Sequence, residues 1–439
     1  MTATARSTGI KLLPEVTCPN CWEKFPPESA LAVAGHGDLA GDPMLEDETE
    51  MRRFVPTRFT PECAALDEKD TPSRELACPS CHLLVPRVIF ERRDTLFLSI
   101  FGRTTSGKSY FLSSMARQME TSLPQRFGLG VTEPHPASNV VIREYKNLLF
   151  NNPDPDALVD IPATQATGRR HYQGVLYGGE VRQYPRPMFF QLTPTGRHPN
   201  AGKPLRHMRT ICVYDNSGEH FRPGYAKPNR PETEHLCRSS AMLFIFDPTR
   251  EPAFIEKCRG HAVDPQITIA AKQSENEPQD VILATADANV KKRLGREVAD
   301  PLDTPLVVIL AKFDAWKHLV VGELPAFATG QEGDFSTLHS FKAAEVERVS
   351  AVLRDLLLRL CPVIVATAER LSRRVCYIPT SATGCSPIVA GEDAKSGTPI
   401  LKFRRGSLRP IWAEVPLLWI LSQLTTGIVP LDRPQKASQ

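Results

Sequence analysis

The stretch IFGRTTSGKSYFL at residues 100–112 constrains this chain more than any other. Gly102, Gly107, Lys108 and Ser109 complete the pattern G-x-x-x-x-G-K-[ST], directly after an apolar run typical of a strand and directly before a helical pattern. Glycines allow a tight turn, successive N–H groups point inward, and the helix N-terminus adds partial positive charge. The sequence therefore predicts a phosphate-binding loop between a strand and a helix.

The residues of this loop have separate expected roles. Lys108 would reach the β- and γ-phosphates and is a candidate catalytic residue, while the Ser109 hydroxyl is the expected Mg²⁺ ligand. We expect a nucleotide to contact the loop at Gly102, Thr105, Ser106, Gly107, Lys108, Ser109 and Tyr110. The pattern alone does not separate ATP from GTP.

Apolar runs predict the rest of the fold. Six runs rich in Val, Ile, Leu and Phe begin at residues 95, 188, 209, 241, 306 and 374, and four of them are continuously apolar, as central strands covered on both faces are. Helical patterns between the runs predict right-handed crossovers, and the turn-rich linker at 193–208 predicts an antiparallel pair. We predict an α/β fold with a six-stranded mixed sheet and helices on both faces.

Size and charge limit the organisation. The 439 residues exceed what one core usually holds, so we predict a cysteine-bearing module at 1–90, an α/β domain with long loop insertions at 91–430 and a disordered tail at 431–439. With 53 Lys and Arg against 50 acidic residues, no nucleic-acid partner is predicted. Neither a signal peptide nor a transmembrane segment is recognised, so we expect a cytoplasmic protein.

Two further motifs follow apolar runs. DNSG, in which Asp215 and Gly218 fit DxxG, comes after TICVY. Asp215 would hold Mg²⁺, and the Gly218 N–H would contact a γ-phosphate, although an Asx turn after a strand has the same pattern. LAKFD ends the fifth apolar run, and its Lys312 and Asp314 fit NKxD, whose aspartate accepts hydrogen bonds that guanine donates and adenine does not.

The last motif is the short TSA, whose Ser381 and Ala382 are predicted to contact the guanine O6 through backbone N–H groups. All these motifs stand at the predicted carboxyl ends of strands, where open α/β sheets bind ligands. Ala311 departs from NKxD, in which Asn or Thr is usual at that position. The predicted preference for guanine therefore depends on Asp314.

The four motifs GRTTSGKS, DNSG, AKFD and TSA together resemble a Ras-like P-loop GTPase domain over about residues 94–425. With the N-terminal cysteines, FIFDPT and RPIWAEVPLLWIL, the chain is most similar to the bacterial double-GTPase proteins. That resemblance implies GTP and Mg²⁺ as ligands, and a protein partner that is itself a second GTPase, in a bacterial conflict or defence system.

Hydrolysis requires a group that orients water. Glu219 follows Gly218, where many relatives have Gln or His, and its negative charge predicts slow turnover unless Arg222 or Arg230 compensates. Thr164 or Thr167 is the candidate switch threonine, with Thr164 favoured, although either fits an ordinary loop hydroxyl. An ATPase and a nucleotide-binding scaffold without turnover remain alternatives.

Two CxxC pairs lie in the N-terminal region, CPNC at 18–21 and CPSC at 78–81. Four thiolates suit tetrahedral Zn²⁺, so Cys18, Cys21, Cys78 and Cys81 predict a closed, structural zinc site. The long spacing requires an insertion that folds back, and Cys63 or His82 is an alternative ligand. A redox dithiol requires a thioredoxin-like context, which is absent around Cys18.

Overall fold

The computed structural model describes residues 12–91, 95–162, 170–221, 231–261, 264–272, 278–320, 322–330, 336–393, 397 and 399–432. The strands in these ranges are β1 Val16–Thr17, β2 Lys24–Phe25, β3 Leu31–Val33, β4 Arg53–Phe54, β5 Ala65–Leu66, β6 Pro72–Ser73, β7 Leu76–Ala77, β8 Thr95–Gly102, β9 Leu129–Thr132, β10 Leu158–Val159, β11 Tyr172–Tyr177, β12 Glu180–Pro185, β13 Met188–Pro194, β14 Arg209–Asp215, β15 Ala241–Phe246, β16 Leu306–Leu310, β17 Val375–Pro379, β18 Ile388–Glu392 and β19 Pro399–Arg404.

The helices connect these strands. They are α1 Lys108–Phe127, α2 Val140–Phe150, α3 Pro204–His207, α4 His235–Arg238, α5 Pro252–Cys258, α6 Pro265–Lys272, α7 Gln279–Leu294, α8 Phe313–Trp316, α9 Ala343–Leu360, α10 Pro362–Leu371 and α11 Val415–Leu424. Pro362 separates α9 from α10, because proline fits the first turn of a helix but not its interior. No helix in the described ranges has the length and apolar character that spanning a membrane requires.

The central sheet is mixed and has the order β17-β16-β15-β8-β14-β13-β9. The strands from β17 to β14 are parallel, whereas β13 is antiparallel to both β14 and β9. The predicted six strands and the antiparallel pair are present, but the predicted strand number is wrong. The seventh strand, β9, is four residues long and includes Gly130, so its sequence gives only a short apolar pattern; it pairs with β13 and places Leu129 in the core.

Smaller sheets surround this one. The N-terminal region contains β1-β2, β4-β3-β7 and β5-β6, while β11 and β12 form a hairpin and β10-β19-β18 form a three-stranded sheet. Leu431 bridges to Phe341, so the chain is ordered through this residue; residues 433–439 of the predicted tail lie outside the described ranges.

The two faces of the sheet are covered differently on the β13–β14 side. Phe190, Ile211 and Val213 belong to the large helix-packed core. The alternate residues Phe189, Cys212 and Tyr214 instead pack with the N-terminal cysteines, because successive strand residues face opposite sides. The N-terminal region therefore covers this face together with residues of the β11–β12 hairpin, and His235 of α4 stacks on Tyr214.

Candidate functional site

The predicted phosphate-binding loop connects β8 to α1, so it lies between a strand and a helix as the sequence predicts. At Gly102, φ is 148° and an added Cβ would lie 2.6 Å from the Ile245 carbonyl oxygen on β15, so the neighbouring strand leaves space only for glycine. Thr105 and Gly107 also have positive φ, at 66° and 92°. These turns bring the loop back over the first residue of α1.

Lys108 closes this loop from inside. Its Nζ donates to the carbonyl oxygens of Gly102, at 3.0 Å, and Arg103, at 2.7 Å. Burial lowers the pKa of Lys108 to about 8, against the opposing attraction of Asp215. The ammonium group is thus hydrogen-bonded to loop carbonyls. A phosphate bound in the loop would attract it away from them.

The predicted Mg²⁺ ligands meet beside the loop. Ser109 Oγ donates to Asp215 Oδ2 at 3.1 Å, and burial raises the pKa of Asp215. Among the described residues, Asp215 Oδ1, Thr104 Oγ1 and Ser106 Oγ are buried without a hydrogen-bond partner. Buried polar atoms rarely stay unpaired, so this donor set fits a hydrated Mg²⁺ with its phosphates.

The DNSG segment packs directly on the phosphate-binding loop. A Cβ added at Gly218 would lie 2.2 Å from the Thr104 amide nitrogen, so only glycine allows this approach. Glu219 follows on a short 3-10 turn and is partly exposed. His220 is buried, with Nδ1 at 2.7 Å from Asn216 Oδ1. Glu219 is therefore the titratable side chain of this turn that remains accessible.

A hydroxyl from the β11–β12 hairpin fixes the same segment. The buried Tyr172 Oη donates to Asn216 Oδ1 at 2.7 Å and accepts from the Ser217 N–H at 3.0 Å. The same hairpin pairs with the N-terminal region, where the Leu176 N–H donates to the Met44 carbonyl at 2.8 Å. Sequence reasoning missed this network, whose members are distant along the chain.

AKFD and TSA meet at the other end of the site. Ser381 Oγ donates to Asp314 Oδ1 at 2.5 Å and accepts from the Gly384 N–H at 2.7 Å. Burial raises the pKa of Asp314, and the Ser381 bond opposes this effect. The Ala382 carbonyl is held to α1 by Ser114 Oγ at 2.5 Å. These bonds link the TSA loop to Asp314 and to α1 although Ala311 has no amide side chain.

Lys312 has a partner that sequence reasoning did not assign. Its Nζ lies 2.6 Å from Oδ2 of Asp247, which is fully buried at the end of β15. Asp247 also accepts from the Thr249 N–H at 3.0 Å. The signal was FIFDPT, in which an aspartate ends a buried strand beside the site.

Two adjoining clefts connect these groups. One, of about 670 Å³, is lined by Lys108, Ser109 and Gly218; the other, of about 710 Å³, is lined by Lys312, Asp314 and the TSA residues. Both clefts are lined by Thr105, Gly107 and Tyr110. The predicted phosphate-binding and base-reading residues therefore line two neighbouring clefts that share three residues.

The four cysteines of the CxxC pairs come together. Their Sγ atoms lie within 4.8 Å of one another, with Cys18 and Cys81 at 3.8 Å and Cys21 and Cys78 at 3.7 Å. Thiolates about 2.3 Å from a tetrahedral Zn²⁺ are about 3.8 Å apart, so the cluster fits this ion. Cys63 is exposed and outside the cluster.

The two knuckles have the same local structure. In each knuckle, the N–H of the first cysteine donates to the backbone carbonyl of the residue five positions later in the chain. The N–H of the residue that follows the second cysteine donates to the backbone carbonyl of the first cysteine. These following residues, Trp22 and His82, have φ of 61° and 58°. His82 Nδ1 lies 2.9 Å from Asp42 Oδ1, so this ring is paired with a carboxylate and is not part of the cysteine cluster.

Four candidate residues lie outside the described part of the chain. Thr164 and Thr167 fall within 163–169, and Arg222 and Arg230 fall within 222–230. The switch threonine and a compensating cation therefore stay predictions.

Comparisons with known proteins do not identify a family for this chain. No protein-family model and no curated protein matches the chain. Similar solved structures include an SsGBP variant (14% identity, 66% of this chain, 50% of that chain, TM-score 0.21) and Sup35 complexed with GDP (11%, 66%, 38%, 0.23). Another is the GTP-bound GTPase-like domain of Ski7 from S. cerevisiae (11%, 66%, 43%, 0.25). The chain spans half or less of these three chains, and TM-scores this low establish no shared ligand.

Proposed function

We propose that this chain binds GTP, hydrolyses it slowly and acts as a nucleotide-dependent switch for a protein partner. One observation carries the proposal: Lys108 and Asp314 line two adjoining clefts that share Thr105, Gly107 and Tyr110. The cleft with Lys108 combines an ammonium group with buried polar atoms that have no partner among the described residues. The other cleft offers a carboxylate to a base.

The Asp314 carboxylate supports guanine over adenine. Its Oδ1 is held by Ser381, and carboxylate oxygens accept more than one hydrogen bond each, so acceptor capacity remains. Guanine donates from N1–H and the 2-amino group, whereas adenine has no such donor pair. A site built on these bonds discriminates strongly, because the wrong base leaves the remaining acceptor capacity of a half-buried carboxylate unused.

The DNSG contacts support slow hydrolysis and switching. Ser109 and Asp215 would hold Mg²⁺, which neutralises charge on the β- and γ-phosphates when bound. Gly218 packs on the loop that would contact the γ-phosphate, so loss of that phosphate would change the surroundings of this segment. Glu219 follows Gly218, so its negative charge would lie near the γ-phosphate and disfavour rapid turnover. The resemblance to double-GTPase proteins makes a second GTPase the proposed partner.

The test compares two substitutions, one in each of the adjoining clefts. Lys108→Ala should weaken GTP and ATP alike, because it removes the charge that contacts phosphates. Asp314→Ala should lower GTP affinity by about 10- to 100-fold and leave the weaker ATP affinity unchanged, since it removes only the acceptor for guanine. Calorimetric titration of both nucleotides measures these changes.

Two additional measurements separate the alternatives. Asp314→Asn should shift the preference toward xanthosine triphosphate, whose base has an oxygen where guanine has an amino group. Equal weakening of ATP and GTP by Asp314→Ala would reject guanine recognition and favour an ATPase. Phosphate release by the wild-type protein tests turnover, and tight GTP binding without any release would identify a scaffold.

A further inference from the structure

The residues after the TSA loop form an unexpected wall of the base-reading cleft. β18 and β19 pair as an antiparallel hairpin, and β19 also pairs with β10, placing Phe403 opposite Val159. Leu401 and Phe403 of β19 line the same cleft as Asp314. This wall comes from a segment to which sequence reasoning assigned no role.

Side-chain alternation along β19 separates two faces. Leu401 and Phe403 face the cleft, whereas Ile400 between Pro399 and Leu401 is on the other face and is 36% exposed. Phe403 is 9% exposed and belongs to a small apolar cluster with Val159, Ile161 and Leu408. The aromatic ring is therefore held by packing at the edge of the cleft.

Tyr110 connects this wall with the phosphate-binding loop. Its ring centroid lies 5.5 Å from that of Phe403, and its hydroxyl accepts from the Ile161 N–H at 3.2 Å. Tyr110 immediately follows the Mg²⁺-ligand candidate Ser109, and it borders both clefts. The position of Phe403 is thus coupled to the helix that begins at the phosphates.

We propose that strand β19 is the apolar wall of a purine-binding subsite, with Phe403 packing against the base that Asp314 reads. This inference rests on the proposed function, because it assumes a nucleotide with its phosphates at Lys108. An aromatic ring against a base contributes affinity for every purine, since guanine and adenine both have a π-face. Phe403 therefore strengthens binding without selecting the base, and Asp314 selects it.

The experiment compares GTP, ATP and inorganic tripolyphosphate, which has no base. Phe403→Ala should weaken GTP and ATP by a similar factor, about tenfold from the usual range of base–aromatic stacking, and leave tripolyphosphate unchanged. Ile400→Ala, on the opposite face of the same strand, is the matched control and should leave all three affinities unchanged. Unchanged GTP affinity in Phe403→Ala, or an equal loss for tripolyphosphate, would overturn the subsite.

A second variant keeps the test valid if the alanine variant does not fold. Phe403→Trp keeps an aromatic ring at this position, and GTP should quench the additional fluorescence relative to wild type while tripolyphosphate should not. A lack of quenching by GTP that binds tightly contradicts the subsite alone. Wild-type protein that binds GTP no better than tripolyphosphate would contradict the proposed function as well.

Discussion

The cysteine cluster and the proposed nucleotide cleft differ in how complete they are. The sulfur atoms lie at the separations that a tetrahedral ion requires, and backbone N–H groups of Asn20 and Ser80 already donate to Cys18 and Cys78, at 3.3 and 3.4 Å. In the cleft, Lys108 is instead bonded to its own loop, and Asp215 Oδ1 is buried without a partner among the described residues. The first arrangement suits an ion retained as part of the fold, and the second suits a ligand that exchanges.

The two regions are also in contact. Tyr214, the residue before Asp215, donates from its hydroxyl to the Pro19 carbonyl inside the first knuckle at 2.5 Å. Its ring lies 6.0 Å from that of Trp22. With a metal bound, the cysteine cluster that packs on the strand carrying Asp215 would give the proposed nucleotide site a rigid support.

The largest effect is expected from removal of one ligand of the cysteine cluster. Cys78→Ser should lower zinc affinity by more than about a hundredfold, since even loss of a ligand's hydrogen-bond partner costs roughly 10- to 100-fold. Because metal binding is coupled to folding, the N-terminal region should also lose stability. Metal analysis should find about one zinc per wild-type chain, as a single four-cysteine site requires.

Cys63→Ser is the matched control for that substitution. Cys63 is exposed and outside the cluster, so its serine variant should retain both zinc and the wild-type melting temperature. Folded wild-type protein without zinc would contradict the structural role of the cluster.

A smaller effect is expected from the ionisation of Lys108. Burial lowers its pKa to about 8 in the free protein, and bound phosphates should raise it. A group whose pKa rises on binding favours the complex below its free pKa, so nucleotide affinity is complete below pH 8 and falls above it, by about tenfold per pH unit.

Proton uptake measures this effect directly. Calorimetry in buffers with different ionisation enthalpies should show that binding takes up about 0.1 proton at pH 7 and about 0.8 at pH 8.5, as a pKa near 8 requires. Zero uptake at both pH values would show that Lys108 stays charged in the free loop.

The strand–loop–helix geometry around Lys108, the position of Asp314 beside Ser381 and the convergence of the four cysteines could be predicted, because each motif is a local pattern at a strand end or in a knuckle. Parallel strands end at one edge of a sheet, so Asp215, Asp314 and Ser381 were expected to converge even though they are far apart in sequence. The packing of β13 and β14 against the N-terminal region could not be predicted from their alternating residues alone, because alternation does not indicate what covers each face.

The residues that could not be predicted depend on non-local pairing. Phe403 lines the cleft only because β19 pairs with β10, and β9 forms only beside β13. Asp247 ends a strand as several other residues do, and its ion pair with Lys312 depends on the order of strands in the sheet. Short elements of this kind have little periodicity, so their sequences do not indicate their partners.

The smallest expected effect concerns the connection between the two regions. Tyr172 holds Asn216 and Ser217 beside Gly218, and its hairpin is paired with the N-terminal region. Tyr172→Phe keeps the ring and removes the hydroxyl, so the DNSG backbone should be placed less accurately against a γ-phosphate. The preference for GTP over GDP should then fall by about fivefold, as for a hydrogen bond of roughly 1 kcal/mol, while GDP affinity stays unchanged.

Tyr177→Phe is the control, because its hydroxyl donates to the Ser80 carbonyl at 3.3 Å and not to DNSG. Titration of both nucleotides separates positioning from stability: if the two variants lower GTP and GDP affinity equally, the hairpin only supports the fold.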